Sequence, residues 1–236
     1  MAQLTLSDLR AILFDFDGTL VDVSIDFDAM KRRVWLAAAV TGLDLTGYER
    51  LYTLELIKRV FAALGGDGTA PAEAFRRRAE DAVLDEELKA AARAEVFPGV
   101  PAFLQELHAR GIKVVIVTRN CRAAVEQIIA RNDLYYDLLL TRDDVPRVKP
   151  DPEHLAIALR ALGVSAREAL MVGDHPMDVQ AGHAVGTWTI GILNMGRPTD
   201  YFAAVRPHAV LTSVVDIPAY IMAHPLQDDQ RAASSV

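Results

Sequence analysis

The stretch Ala11-Ile12-Leu13-Phe14-Asp15-Phe16-Asp17-Gly18-Thr19-Leu20 constrains the fold more than any other in the chain. Four consecutive apolar residues lead into two carboxylates spaced i and i+2, then Gly and Thr. A continuous apolar run of this length reads as a strand buried on both faces, as in a parallel sheet covered by helices. The i, i+2 spacing puts Asp15 and Asp17 on one side of an extended chain, and Gly18 lets the backbone bend sharply just past them. The carboxyl end of such a strand is where open α/β sheets bind ligands. Two acids are costly to bury there unless a cation or a shared proton compensates. A divalent metal does so, and it lets one carboxylate approach a phosphate dianion.

The interval from 21 to 95 shows no strand pattern. Apolar spacing predicts helices over 26–41, 48–64, 71–83 and 86–94, with Gly42 and Gly65-Gly66 as stops and Pro71 in a first turn. Strand and helix patterns alternate from Phe97 onward. A helix ends near Arg110, a β-branched strand covers 113–118, and a helix covers 122–131. A short strand at 137–140 is followed by the proline-bounded loop 147–152 and a helix to Leu162. Another buried strand, 169–172, precedes Gly173-Asp174-His175-Pro176-Met177-Asp178, and a small helix then runs through Gly182. Strands at 187–193 and 209–211, a helix at 217–223 and a polar tail from Gln227 complete the chain. This order predicts an α/β protein with a Rossmann-like, three-layer parallel-sheet core, built from 1–20 and 96–236. The segment 21–95 is expected to be an all-helical cap inserted into it.

Composition narrows the function classes. A net charge of −7 argues against nonspecific nucleic-acid binding. No apolar run approaches a membrane span, and residues 1–10 do not look like a signal peptide. One cysteine, Cys121, precludes an internal disulfide and fits a reducing cytoplasm. With no Cys–His signature beside it, Cys121 reads as a small packing residue. The insert carries basic clusters at Lys31-Arg32-Arg33, Lys58-Arg59 and Arg76-Arg77-Arg78, interleaved with acids, which read mainly as solvated helix faces.

Asp15-Phe16-Asp17-Gly18-Thr19, strand-terminal Thr118, Lys149 before Pro150, and Gly173-Asp174 with Asp178 occur in the order and spacing of four known motifs. By them the chain resembles the haloacid dehalogenase superfamily, specifically its phosphatase branch with a helical cap; the dehalogenases themselves lack the second Asp. Among its branches it is most similar to phosphoglycolate phosphatases, since the first motif continues as Leu20-Val21-Asp22 and a helical cap fills the same interval. The resemblance implies Asp15 as nucleophile, Asp17 as general acid/base, Thr118 as a hydroxyl on the transferring phosphoryl group and Lys149 as the neutralising cation. It implies Asp15, Asp17, Asp174 and Asp178 as the metal acids, and backbone donors at Phe16 and Arg119 for phosphate.

The physical chemistry of those groups stands beside the resemblance. A carboxylate nucleophile divides ester hydrolysis into two displacements through an aspartyl-phosphate, and positioning with cations provides most of the catalysis. Carboxylates and water suit Mg²⁺; with no Cys/His cluster they do not suit zinc. The expected activity is Mg²⁺-dependent hydrolysis of a small soluble phosphate ester. Two alternatives stand: a phosphoglucomutase-like isomerase, and a non-catalytic binding protein on the same scaffold. Two positions depart from the usual motifs. Arg119 follows Thr118, as an extra cation or an outward-pointing side chain, and His175 follows Asp174, as a loop residue or a group behind the metal. The oligomeric state is left open, as monomer or homodimer.

Overall fold

Ala11–Phe14 lies at the centre of a six-stranded sheet in the computed structural model, which describes residues 2–193 and 196–228. In chain order the strands are β1 (Gln3–Leu4), β2 (Ala11–Phe14), β3 (Val21–Asp22), β4 (Glu95–Val96), β5 (Lys113–Val117), β6 (Leu138–Leu140), β7 (Ala169–Gly173), β8 (Trp188–Ile192), β9 (Ala209–Leu211) and β10 (Leu226–Gln227). The helices are α1 (Phe27–Ala39), α2 (Thr53–Ala63), α3 (Ala70–Ala91), α4 (Val100–Ala109), α5 (Arg122–Asn132), α6 (Glu153–Leu162), α7 (Pro176–Val185) and α8 (Ile217–Ala223). Two units divide the chain: Met1–Val23 with Ala94–Val236, and Ser24–Arg93.

The sheet of the first unit runs β6-β5-β2-β7-β8-β9, and every neighbouring pair is parallel. This is the Rossmann-like α/β fold that the alternation predicts. Residues of alternate parity leave opposite faces. Ala11, Leu13, Val115, Val117, Ala169 and Met171 pack in one cluster with Leu155, Ala158 and Leu159 of α6 and Ala181 of α7. On the other parity Ile12, Phe14, Val114, Ile116, Leu170 and Val172 are equally buried, and the Phe14 ring meets Phe103 of α4 edge-on with centroids 6.0 Å apart. Cover on both faces explains why these strands read as unbroken apolar runs.

The second unit is a three-helix assembly. Met30, Val34 and Ala38 of α1 pack with Leu56, Ile57 and Val60 of α2 and with Phe75, Ala79 and Val83 of α3. Two expectations need correction here. The helix expected over 48–64 begins only at Thr53, because residues before it form turns closed by Tyr48 N–H to Leu45 O and Leu51 N–H to Tyr48 O. The two helices expected over 71–83 and 86–94 are one continuous helix of 22 residues. No Gly or Pro interrupts it, and Asp85 and Glu86 bind Arg33 and Lys89 instead of starting a new helix. Several basic residues of this unit have internal partners: Arg76 pairs with Glu73, and Lys31 donates to the Glu49 carbonyl. Arg32, Lys58, Arg59, Arg77 and Arg78 are exposed.

The ends of the interval expected to lack strands contain two short ones. Val21 pairs with Val96 and Asp22 with Glu95, antiparallel, where the chain leaves and re-enters the first unit. Likewise β1 pairs antiparallel with β10, so the expected polar tail starts later than Gln227 and its remainder lies outside the described residues. Two-residue strands are too short to display a period in sequence. Among the described residues, no helix is long and apolar enough to cross a membrane.

Candidate active site

Strand order fixes where polar side chains gather. From β2 the chain proceeds outward through β5 and β6, then crosses to β7, β8 and β9 on the other side. The reversal leaves a crevice at the carboxyl end of β2, the usual ligand position in such sheets. Asp15 and Asp17 follow β2, Thr118 follows β5, Lys149 lies beyond β6, and Asp174 and Asp178 follow β7.

Lys149 joins two of these acids. Its Nζ lies 2.9 Å from Asp15 Oδ1 and 2.7 Å from Asp178 Oδ1, with all three side chains nearly inaccessible. Burial works against the ammonium charge, but Asp15 and Asp178 outweigh it and hold Lys149 above its ordinary range. Asp15 Oδ1 also accepts the Phe16 N–H at 2.8 Å, and Asp178 Oδ2 accepts the His175 N–H at 3.0 Å. Ligand atoms of Asp15, Asp174 and Asp178 all lie within 4.8 Å of one another. Burial, then the Asp178 charge, pushes Asp15 up to about 6 despite Lys149. Burial, then the Asp15 and Asp178 charges, pushes Asp174 up to about 7. Three buried hard-oxygen groups gathered this closely are a donor set suited to a divalent cation.

Two glycines let those carboxylates in. Gly18 has φ +82°, and a Cβ there would sit 2.5 Å from Asp174 Oδ2. A Cβ on Gly173 would collide with the Asp178 carboxylate. The same packing that brings the acids together therefore excludes any side chain at either position.

Four acids are expected around a metal, and the structure brings three of them together. Asp17 is held elsewhere: Thr118 Oγ1 donates to its Oδ2 at 2.9 Å and Asn120 Nδ2 to its Oδ1 at 2.8 Å. Both of its oxygens are thereby aimed at the loop after β5. Burial, then the Asp15 charge, pushes Asp17 up to about 6 against those two donors. A carboxyl that changes protonation near neutrality suits a general acid/base. The Thr118 hydroxyl also accepts the Asn120 N–H at 3.0 Å, so it is a strut for Asp17 here. Asn120, whose Oδ1 accepts the Cys121 N–H, is a site residue that the sequence reading passed over. Cys121 itself caps α5, its Sγ accepting the Ala124 N–H, which agrees with a packing role.

A second unforeseen residue is His154 on α6, fully buried. Its Nδ1 accepts the Lys149 N–H at 3.4 Å, so its proton belongs on Nε2, which faces Leu140 O at 3.3 Å. Leu140 O also accepts the Thr118 N–H at 3.0 Å. One imidazole thus ties the backbone of Lys149 to that of Thr118. Burial, then the Lys149 charge, pushes His154 down to about 3, which keeps it neutral. A third is Arg197, whose Nη2 lies 2.9 Å from Asp174 Oδ2. Of the two departures, His175 is the N-cap of α7, its Nδ1 accepting the Met177 N–H. Burial, then the Arg197 charge, pushes it down to about 4, which keeps it neutral. Arg119 Nη1 donates to Met177 Sδ at 2.8 Å.

Comparison with known proteins identifies the chain's family. A family model described as haloacid dehalogenase-like hydrolase matches residues 9–186. The phosphoglycolate phosphatase of Yersinia pseudotuberculosis is 28% identical over 230 residues, 94% of this chain and 97% of that protein. The pyrophosphatase PpaX of Bacillus cereus is 38% identical over 125 residues, which cover 52% of this chain and 58% of that protein. A solved hydrolase from Pseudomonas syringae superposes with a TM-score of 0.63 at 21% identity, over 91% of this chain and 97% of its own. The family match begins before β2 and extends past Asp178 through α7, and the Yersinia phosphatase aligns along nearly the whole chain. On that span, this chain belongs to the haloacid dehalogenase-like hydrolases, in their phosphatase branch.

Proposed function

We propose that the protein is a Mg²⁺-dependent phosphomonoester hydrolase, phosphoglycolate phosphatase-like, acting on a small soluble phosphorylated metabolite through an aspartyl-phosphate on Asp15. The observation that carries this reading is the Lys149 ammonium buried between Asp15 and Asp178. It holds the attacking carboxylate in place and supplies a fixed positive charge where a phosphate must arrive. Asp15, Asp174 and Asp178 would hold Mg²⁺, which when bound supplies compensating charge for phosphate and carboxylates together. Neither Cys nor His joins that cluster among the described residues, which favours a hard cation over zinc.

In the first displacement a carboxylate oxygen of Asp15 bonds to phosphorus and the ester P–O bond breaks. Asp17 gives its proton to the leaving oxygen. In the second, water attacks phosphorus, Asp17 takes a proton from it, and the Asp15–phosphorus bond breaks to release phosphate. Thr118 and Asn120 orient Asp17 for both transfers. The Yersinia relative, aligned over nearly its whole length, favours a phosphoglycolate-like ester over pyrophosphate, since the pyrophosphatase match covers only about half of each chain.

The test is Asp15→Asn against 2-phosphoglycolate, pyrophosphate and hexose phosphates with Mg²⁺. Free-phosphate release is expected to vanish while circular dichroism is unchanged. Multiple turnovers near the wild-type rate would overturn the mechanism. Interconversion of sugar phosphates without phosphate release by the wild type would favour an isomerase instead.

A further inference from the structure

Arg197 stands on the loop after β8, outside the groups that carry the proposed chemistry. Its grip on Asp174 is single: Nη2 reaches Oδ2 at 2.9 Å, while its Nε is buried without a hydrogen-bond partner among the described residues. Its guanidinium also lies over the Tyr201 ring, 4.4 Å from the centroid. The Arg197 side chain keeps 30% of its surface open, whereas that of Asp174 is 8% open. Lys149 pairs with Asp15 and Asp178, so Arg197 is the cation paired with the third carboxylate of the cluster.

Charge balance sets the consequence. With all three carboxylates ionised, Lys149 and Arg197 leave one negative charge in excess. A divalent cation added with Arg197 in place makes the cluster net positive and puts two cations on one carboxylate. With Arg197 withdrawn, the same cation leaves the cluster neutral. The aromatic face offers the guanidinium a second favourable partner, so leaving Asp174 does not strand it in water-poor surroundings.

We infer that Arg197 is a displaceable counter-ion that holds Asp174 in the metal-free protein and yields that carboxylate to the metal, thereby weakening metal binding. This rests on the reading of Asp15, Asp174 and Asp178 as the metal acids. Arg197 occupies one of the two Asp174 oxygens and sets a second positive charge against the metal, and displacing a partly exposed charged hydrogen bond costs enough to lower affinity by about three- to tenfold.

Mg²⁺ titration calorimetry on the full chain, without substrate, tests the inference, together with melting in excess chelator. Arg197→Met is expected to bind Mg²⁺ about three- to tenfold more tightly than wild type and to melt at a lower temperature without metal. Arg197→Lys, which keeps the charge, is expected to return affinity toward the wild-type value. Arg197→Gln, neutral but able to hydrogen-bond, is expected to follow Arg197→Met and serves in its place if that variant does not fold. Unchanged or weaker Mg²⁺ binding in the neutral variants overturns the inference and makes Arg197 a brace for Asp174. If wild type shows no Mg²⁺ binding that Asp174→Asn abolishes, the assignment of the metal acids fails first, and the inference falls with it.

Discussion

At the scale of single residues, the site is a set of side chains each held by a second one. Asp17 is held by Thr118 and Asn120, Asp15 and Asp178 by Lys149, and Lys149 by His154. The last link is the most exposed to test. His154→Leu keeps the packing volume but leaves the Lys149 N–H without its acceptor inside the protein. A loss of about 1–3 kcal/mol in urea unfolding is expected from that unsatisfied group. The kcat for a phosphate ester is expected to fall about ten- to a hundredfold with KM little changed, because Lys149 and Thr118 lose their shared reference point. The partners in this set were unequally visible in the sequence. Asp15 and Asp17 stand at the end of an apolar strand, where a carboxylate has no packing reason to be. Asn120 sits in a loop rich in polar residues, and His154 looks like any single histidine on a helix. Arg197 reaches Asp174 from 23 residues away, a pairing that only the fold creates.

Elements were legible in proportion to their length and to how uniformly they are buried. β5 and β7 are seen almost residue for residue, and α8 runs from Ile217 to Ala223 as its spacing predicts. The short pairs β3–β4 and β1–β10 are invisible, because their partners are far apart in sequence and two residues carry no period. α3 shows the opposite error: the acidic stretch at Asp85-Glu86 imitates a helix start, but its charges serve Arg33 and Lys89. Leu84→Pro separates the two readings. Between two helices a proline would be tolerated; inside one continuous helix it costs about 3 kcal/mol or more. The second unit is therefore expected to lose helicity and melt early in Leu84→Pro, while Leu84→Ala stays close to wild type by circular dichroism.

At the scale of the whole molecule, the buried acids make stability depend on pH and metal together. In the folded, metal-free state Asp15 and Asp17 are raised to about 6 and Asp174 to about 7, from 3.8. The folded state then holds protons that the unfolded chain has released, so this contribution is fully present below about pH 4 and lost as pH rises through 6 and 7. His154 works the other way: lowered to about 3 from 6.5, its contribution is present above 6.5 and lost as pH falls toward 3. In chelator, the melting temperature is expected to fall between pH 5 and 8, and Mg²⁺ is expected to remove most of that fall. A metal-induced rise in melting temperature that is as large at pH 5 as at pH 8 would contradict the assignment of these acids as its ligands. The β3–β4 pairing adds a consequence of another kind. Asp22 and Glu95 lie side by side, so the sheet meets the whole segment Ser24–Arg93 as a hairpin loop whose ends are already tied. The entropy of closing such a loop grows only with the logarithm of its length. The first unit, then, holds this position closed by its own strand pair, so that a segment of quite different length could leave and return there at little added entropic cost.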